Sequence, residues 1–137
     1  MRPVLVDSNV VLDIATCDPR WFDWSSAMLS RLGENSSLVI NAVVFAEVSA
    51  GYDSVEQLDD VLPPLVFRRE PIPFEAAFLA GKAFAMYRRR GGKRTSTLPD
   101  FFIGAHAAIA GYRLLTRDAK RYRTYFPRLE LIAPANP

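Results

Sequence analysis

Short apolar runs alternate along the chain with longer segments in which apolar residues recur every three or four positions. Residues 3–7, PVLVD, are almost wholly apolar. That is the pattern of a strand buried on both faces of a parallel sheet; a strand with one wet face would alternate. The spacing then changes. Val10, Val11 and Ile14 fit one face of a helix, with Ser8 or Asn9 as its cap. Asp18-Pro19 predicts a second helix start, and Trp21, Trp24, Met28 and Leu32 carry that helix to Gly33. SLVIN (37–41) predicts a second strand and 42–51 a helix that contains Glu47. A helix over about 54–62 is closed by Pro63-Pro64, and LVFRR (65–69) predicts the third strand. Phe74, Ala77, Phe78, Gly81 and Ala85 keep helical spacing across 74–90. RRRGGKRTSTLPD reads as a basic loop with a Gly-Gly hinge, and Pro99 opens a helix to about Ala110. YRLLT (112–116) and LELIA (129–133) predict strands four and five.

Strands alternating with helices predict an α/β fold, with a central parallel sheet of about five strands covered on both faces. At 137 residues, without repeats or long linkers, the expectation is a single domain over 1–137. Half the residues are hydrophobic and 23% charged, too apolar for a disordered chain. No apolar run approaches a membrane span and the N-terminus lacks a signal-peptide pattern. One cysteine, Cys17, excludes an internal disulfide, so a reducing cytoplasm is the expected location. With no histidine near it in sequence, Cys17 is expected to be a buried or half-buried thiol rather than a nucleophile.

Charge sharpens the picture. The net charge is only +2, yet Gly81 to Ser96 holds Lys82, Arg88, Arg89, Arg90, Lys93 and Arg94 with no acid among them. Arg113, Arg117, Lys120, Arg121 and Arg123 form a second cluster, interrupted only by Asp118. Each of these cations alone fits a solvated face; together they suit a polyanion.

Ligands of open α/β sheets bind outside the carboxyl ends of the strands. Asp7 ends strand one, and Asp118 lies two residues past RLLT, on the same edge. Asp100 follows Pro99 in a first helical turn, where an anion is tolerated. Glu47 interrupts the apolar helix AVVFAEV. Singly, each fits an ordinary role: a first-turn acid, an N-cap, a solvated helix position. Gathered at one edge, two carboxylates about 4 Å apart repel by roughly 4 kcal/mol at an effective dielectric near 20, which calls for protons or a cation. Oxygen ligands without convergent His or Cys point to Mg²⁺ or Mn²⁺. The lone His106 is expected to be packed or solvated rather than a ligand.

The stretches VLVDSNVVLD (4–13), AVVFAEV (42–48), LPDFFIGAHA (98–107) and LLTRDAKRY (114–122) resemble, in this order, the four motifs of PIN-domain ribonucleases. Order, spacing and length are most similar to the VapC toxins of bacterial toxin–antitoxin pairs. The resemblance implies a three-layer α/β/α domain and Mg²⁺-dependent endonucleolytic cleavage of RNA. It implies Asp7 and Asp100 as principal metal ligands, Asp118 as the third aspartate, and Glu47 as a residue that binds the metal or its water. Ser8, Asn9 and Thr116 match its supporting polar positions; Asp13 is expected to be solvated. Arg88, Arg89, Arg90, Lys93 and Arg94, with Arg117, Lys120 and Arg121, are the expected RNA-backbone contacts. The resemblance also implies a VapB-like antitoxin partner, and a homodimer is expected. Trp21 and Trp24 are assigned to core or partner contact, while Phe22, Phe45 and Tyr52 are candidates for a groove or dimer face. Alternatives are a processing or flap nuclease of the same fold, a receiver-like regulatory domain, or an interaction protein.

Overall fold

The computed structural model describes residues 1–92 and 98–135. Five parallel strands, β1 (Val4–Val6), β2 (Leu38–Ile40), β3 (Phe67–Arg69), β4 (Arg113–Leu115) and β5 (Leu131–Ile132), form one sheet in the order β3-β2-β1-β4-β5. Among the described residues, seven helices connect and cover them in an α/β/α arrangement: α1 (Ser8–Ala15), α2 (Phe22–Asn35), α3 (Ala42–Ser49), α4 (Val55–Val61), α5 (Phe74–Arg89), α6 (Leu98–Ala110) and α7 (Lys120–Tyr125). The continuous apolar runs of β1 and β2 are fully buried, as inner strands of a parallel sheet must be. The edge strand β3 instead exposes Arg68 and Arg69, charges that discourage pairing with another sheet.

The register fixes where the loops meet. Val6 stands opposite Leu115, and the ladder continues one residue further, with Asp7 N–H donating to Leu115 O at 2.9 Å. The strand order reverses between β1 and β4, so the crevice expected of such a sheet opens at the ends of these two strands.

Several boundaries differ from the sequence expectation. Asp7, not Ser8 or Asn9, is the N-cap residue of α1, and its side chain makes no cap hydrogen bond. The second helix begins at Phe22: Asp18 accepts from Arg20 and Trp21 N–H, which first makes a turn. The helix then passes through Gly33 to Asn35, since one glycine lowers helix propensity without ending it. Leu65 and Val66 fall outside β3, because Val66 and Phe67 N–H both bond Pro63 O in a turn. Arg88 and Arg89 belong to the last turn of α5, with Arg90 its C-cap, so the basic segment starts on a helix. Lys93 and Arg94 lie outside the described residues.

Cys17 is exposed rather than buried, and sits at φ 51°. It occupies the left-handed position of a helix-ending motif in which Cys17 N–H bonds Ile14 O and Asp18 N–H bonds Asp13 O. Gly111 holds the same position after α6. His106 is packed: Asn41 Nδ2 donates to its Nδ1 at 3.1 Å, and Nε2 lies 3.3 Å from Glu70 Oε1. Because Asn41 Oδ1 already accepts from Val44 N–H, its amide faces the ring and the imidazole proton falls on Nε2. Trp21 and Trp24 meet edge to face at 6.1 Å, and Trp24 packs on the core. Phe45 and Tyr52 also pack against the core, leaving Phe22 as the exposed member of that trio.

Candidate metal and phosphate cleft

The N-cap geometry of Asp7 carries a functional consequence. A carboxylate at this position ordinarily accepts from the first free N–H groups of its helix. Here Asp7 Oδ2 accepts instead from Thr116 Oγ1 at 2.9 Å and Tyr122 OH at 2.8 Å, with Asn9 Nδ2 at 3.5 Å. Three elements thus converge on one oxygen: the β1–α1 turn, the end of β4, and α7. Thr116 Oγ1 in turn accepts from Asp118 N–H at 3.1 Å, so the same hydroxyl sets the path of the loop that carries Asp118. Asn9 ties the arrangement together by donating to Thr116 Oγ1 at 3.3 Å.

Glu47 and Asp100 reach the cleft from the helices after β2 and before β4. Ser8 Oγ donates to Glu47 Oε1 at 2.8 Å. Arg121 Nη1 donates to Asp100 Oδ2 at 2.5 Å. Asp118 is exposed at the rim. All four acids line one cleft of about 590 Å³, together with Ser8, Asn9, Lys120, Arg121 and the rings of Tyr87, Tyr122 and Tyr125.

The electrostatics follow from this crowding. Asp7 is 3% exposed, and burial pushes its carboxyl up to about 6. The charges of Asp100 and Glu47 push the same way, against the pull of the Tyr122 and Thr116 hydroxyls. Burial also raises Glu47, helped by Asp100 and opposed by Ser8. Asp100 is raised by burial and by Asp118, against the hydrogen bond and charge of Arg121. Burial and the surrounding acids hold the Tyr122 phenol well above its usual range, so it stays a proton donor.

A hard divalent cation fits this donor chemistry, since the candidate ligands are carboxylate oxygens that burial, and to a lesser degree each other's charge, makes reluctant to ionise. Among the described residues no three acids already form a complete ligand set. Asp7 Oδ2, Glu47 Oε1 and Asp100 Oδ2 are each engaged by a protein donor.

The expected RNA contacts divide. Lys120 and Arg121 lie in the cleft, and the Arg90 guanidinium sits 5.6 Å from the Tyr125 ring at its wall. Arg88 and Arg89 are exposed at the end of α5. Arg117 turns away: its Nε lies 3.0 and 2.9 Å from the two oxygens of Asp13, with the guanidinium beside the Trp21 ring. Asp13, expected to be solvated, is 2% exposed and also accepts from Ser25 Oγ at 2.8 Å. It lies on the face of α1 against which α2 packs, within reach of Ser25.

Sequence reasoning missed Tyr122. Its signal was a tyrosine within KRYRTYF, one turn after Asp118, since a buried phenol needs a hydroxyl partner.

The PIN domain family model matches residues 4–127. No curated protein sequence matches the chain. Solved structures do. One is VapBC2 from Rickettsia felis bound to a DNA fragment from their promoter, at 20% identity and TM-score 0.72, covering 95% of this chain and 97% of that one. A second is VapBC-1 from nontypeable Haemophilus influenzae, at 18% identity and TM-score 0.71, covering 95% and 96%. A third is DNA-bound VapBC from Salmonella typhimurium, at 18% identity and TM-score 0.70, covering 97% and 98%. At these identities the likeness is one of fold.

Proposed function

The chain belongs to the PIN domain family, and from that membership we propose that it is a divalent-metal-dependent endoribonuclease serving as the toxin of a type II toxin–antitoxin pair. The observation that carries this reading is the convergence of Asp7, Glu47, Asp100 and Asp118 in one cleft at the switch point of the sheet. Mg²⁺ is the ion we assign, with Mn²⁺ a substitute. Asp7 and Asp100 would hold it, with Asp118 and Glu47 as further ligands directly or through water. A metal bound there supplies a water of lowered pKa and offsets the charge of the phosphate under attack.

The protein's own contribution is orientation and charge. Thr116, Asn9 and Tyr122 fix Asp7 by one oxygen, and Ser8 fixes Glu47. Lys120 and Arg121 in the cleft, Arg90 at its wall, and Arg88 and Arg89 exposed at the end of α5 offer phosphate contacts that need no particular sequence. Arg117, committed to Asp13, acts on the loop rather than on RNA. Unpaired RNA is the substrate class, because its unstacked bases can lie against the Tyr87 and Tyr125 rings of the cleft while its backbone meets the cations there. A cytoplasmic location agrees with this role, and no described helix is long and apolar enough to cross a membrane.

The partner proposed is a VapB-like antitoxin, supported by the fold neighbours solved as VapBC assemblies. An apolar groove of about 530 Å³ lined by Val11, Ile14, Leu29, Val61 and Phe67 offers a protein partner a seat. Phe74 and Phe78, exposed one turn apart on α5, support self-association into a homodimer. The test is direct. Asp7→Asn and Asp100→Asn each abolish Mg²⁺-dependent RNA cleavage and growth inhibition on expression while circular dichroism stays native. Undiminished cleavage by either variant refutes the metal assignment.

A further inference from the structure

Arg121 stands one turn after Asp118 on α7 and reaches across the cleft to Asp100 Oδ2. Its guanidinium also rests 5.6 Å from the Tyr87 ring. That ring is itself wedged against Phe84, Phe101 and Tyr125, at centroid distances of 6.3, 5.6 and 6.0 Å. The side chains of Arg121 and Asp100 are 33% and 29% exposed, so the pair is neither a loose surface contact nor sealed from solvent. The guanidinium is held from two directions, by a carboxylate in front and an aromatic face beside it. It also sits on a carboxylate that the reading above gives to the metal.

One oxygen cannot serve a guanidinium and a divalent ion at full strength. Two cations sharing Asp100 would also repel each other in a partly desolvated cleft. We propose that Arg121 and the divalent ion compete for Asp100, and that metal entry transfers the guanidinium from Asp100 to the phosphate of the incoming RNA. The inference rests on the metal-dependent nuclease reading. Tyr87 is the pivot: its ring steadies the guanidinium while the carboxylate partner is exchanged for a phosphate. Arg121 therefore has two tasks. Before metal entry it offsets part of the repulsion among Asp7, Glu47, Asp100 and Asp118. After it, the charge is free for the backbone of the substrate.

Three roles for Arg121 make different predictions. A plain RNA contact would leave metal affinity untouched when removed. A purely structural contact would cost stability and weaken metal binding. A competitor would, on removal, leave the acids more avid for a cation.

The experiment is a titration of the intact, RNA-free protein with Mn²⁺, followed by the electron paramagnetic resonance signal of the free ion. Wild type, Arg121→Gln, Arg121→Lys, Asp100→Asn and the Asp100→Asn/Arg121→Gln double variant are compared. Arg121→Gln is expected to bind Mn²⁺ roughly three- to tenfold more tightly, the range for a partly exposed charge partner. Arg121→Lys, with its charge kept and its planar fork lost, falls between. In the Asp100→Asn background the gain disappears, because the competition is for that carboxylate. In Ca²⁺, Arg121→Gln binds a single-stranded RNA more weakly than wild type. Unchanged or weaker Mn²⁺ affinity in a natively folded Arg121→Gln overturns this inference alone. Absence of Mn²⁺ binding in wild type and Arg121→Gln alike overturns the metal reading and this inference with it.

Discussion

Replacing Arg117 by alanine separates a loop-clamping role from an RNA-binding one. Arg117 Nε lies 3.0 and 2.9 Å from the oxygens of Asp13, which is 2% exposed and, among the described residues, otherwise held by Ser25 Oγ alone. Removing the guanidinium leaves a buried carboxylate with one hydroxyl partner. Breaking a buried pair from one side typically costs about 3–5 kcal/mol. The Arg117 side chain is 31% exposed, so water recovers part of that charge and the expected loss is about 2–3 kcal/mol. Asp13→Ala, which leaves the half-exposed arginine free to reach solvent, costs less, and the double variant shows a coupling of about 1–2 kcal/mol. The assay is urea unfolding of the four proteins in a double-mutant cycle, with fluorescence anisotropy of a bound RNA alongside. The loss of the clamp also reaches the cleft, because Arg117 lies between Thr116, which bonds Asp7, and Asp118. A loss below about 0.5 kcal/mol combined with a marked fall in RNA affinity would refute the clamp and return Arg117 to the RNA-binding set.

Four further predictions follow from the same geometry. Tyr122→Phe removes one of the donors on Asp7 Oδ2, worth about 1.5–3 kcal/mol for a bond to a charged group, and lowers Mn²⁺ affinity about tenfold while the fold persists; calorimetric titration reads it. Cys17→Gly relieves the left-handed strain at φ 51° and raises unfolding stability by about 1 kcal/mol, read by urea denaturation. At Gly104 a Cβ would meet the Phe126 ring at 2.5 Å, so Gly104→Ala lowers stability by about 1–3 kcal/mol through displacement of α7, and thermal unfolding reports it. Burial that raises Asp7 from 3.8 to about 6 means that, in EDTA, the folded state keeps a proton the unfolded chain has lost between those values. The contribution of Asp7 to stability therefore falls as pH rises from about 4 through 6, by up to about 3 kcal/mol, and Asp7→Asn removes that part of the slope in urea unfolding measured across the range.

The fold was legible where burial alone dictates the residue. β1 and β2 read as continuous apolar runs because both faces are covered, and the change to helical spacing at Val10 marks the turn that carries Asp7. The edge-of-sheet rule placed Asp7 and Asp118 together without knowledge of the strand order. What escaped the sequence depends on pairs far apart in the chain. Asp13 looks like any polar residue on a helix, and only the docking of α2 and the approach of Arg117 from the loop after β4 explain its burial. Tyr122 and Arg121 read as members of a basic stretch, whereas α7 turns one inward to Asp7 and the other across to Asp100. Cys17 stands where glycine would be the signal, so the end of α1 carried no mark.

Cutting of RNA with a divalent metal is the activity proposed for the acid-lined cleft. Its most direct test is incubation of an end-labelled single-stranded RNA and a matched single-stranded DNA with purified protein, in Mg²⁺ or in EDTA. The expected result is internal cleavage of the RNA alone, dependent on Mg²⁺, with 5′-phosphate ends on the downstream fragments. Cleavage that persists in EDTA, or that attacks the DNA equally, would contradict it.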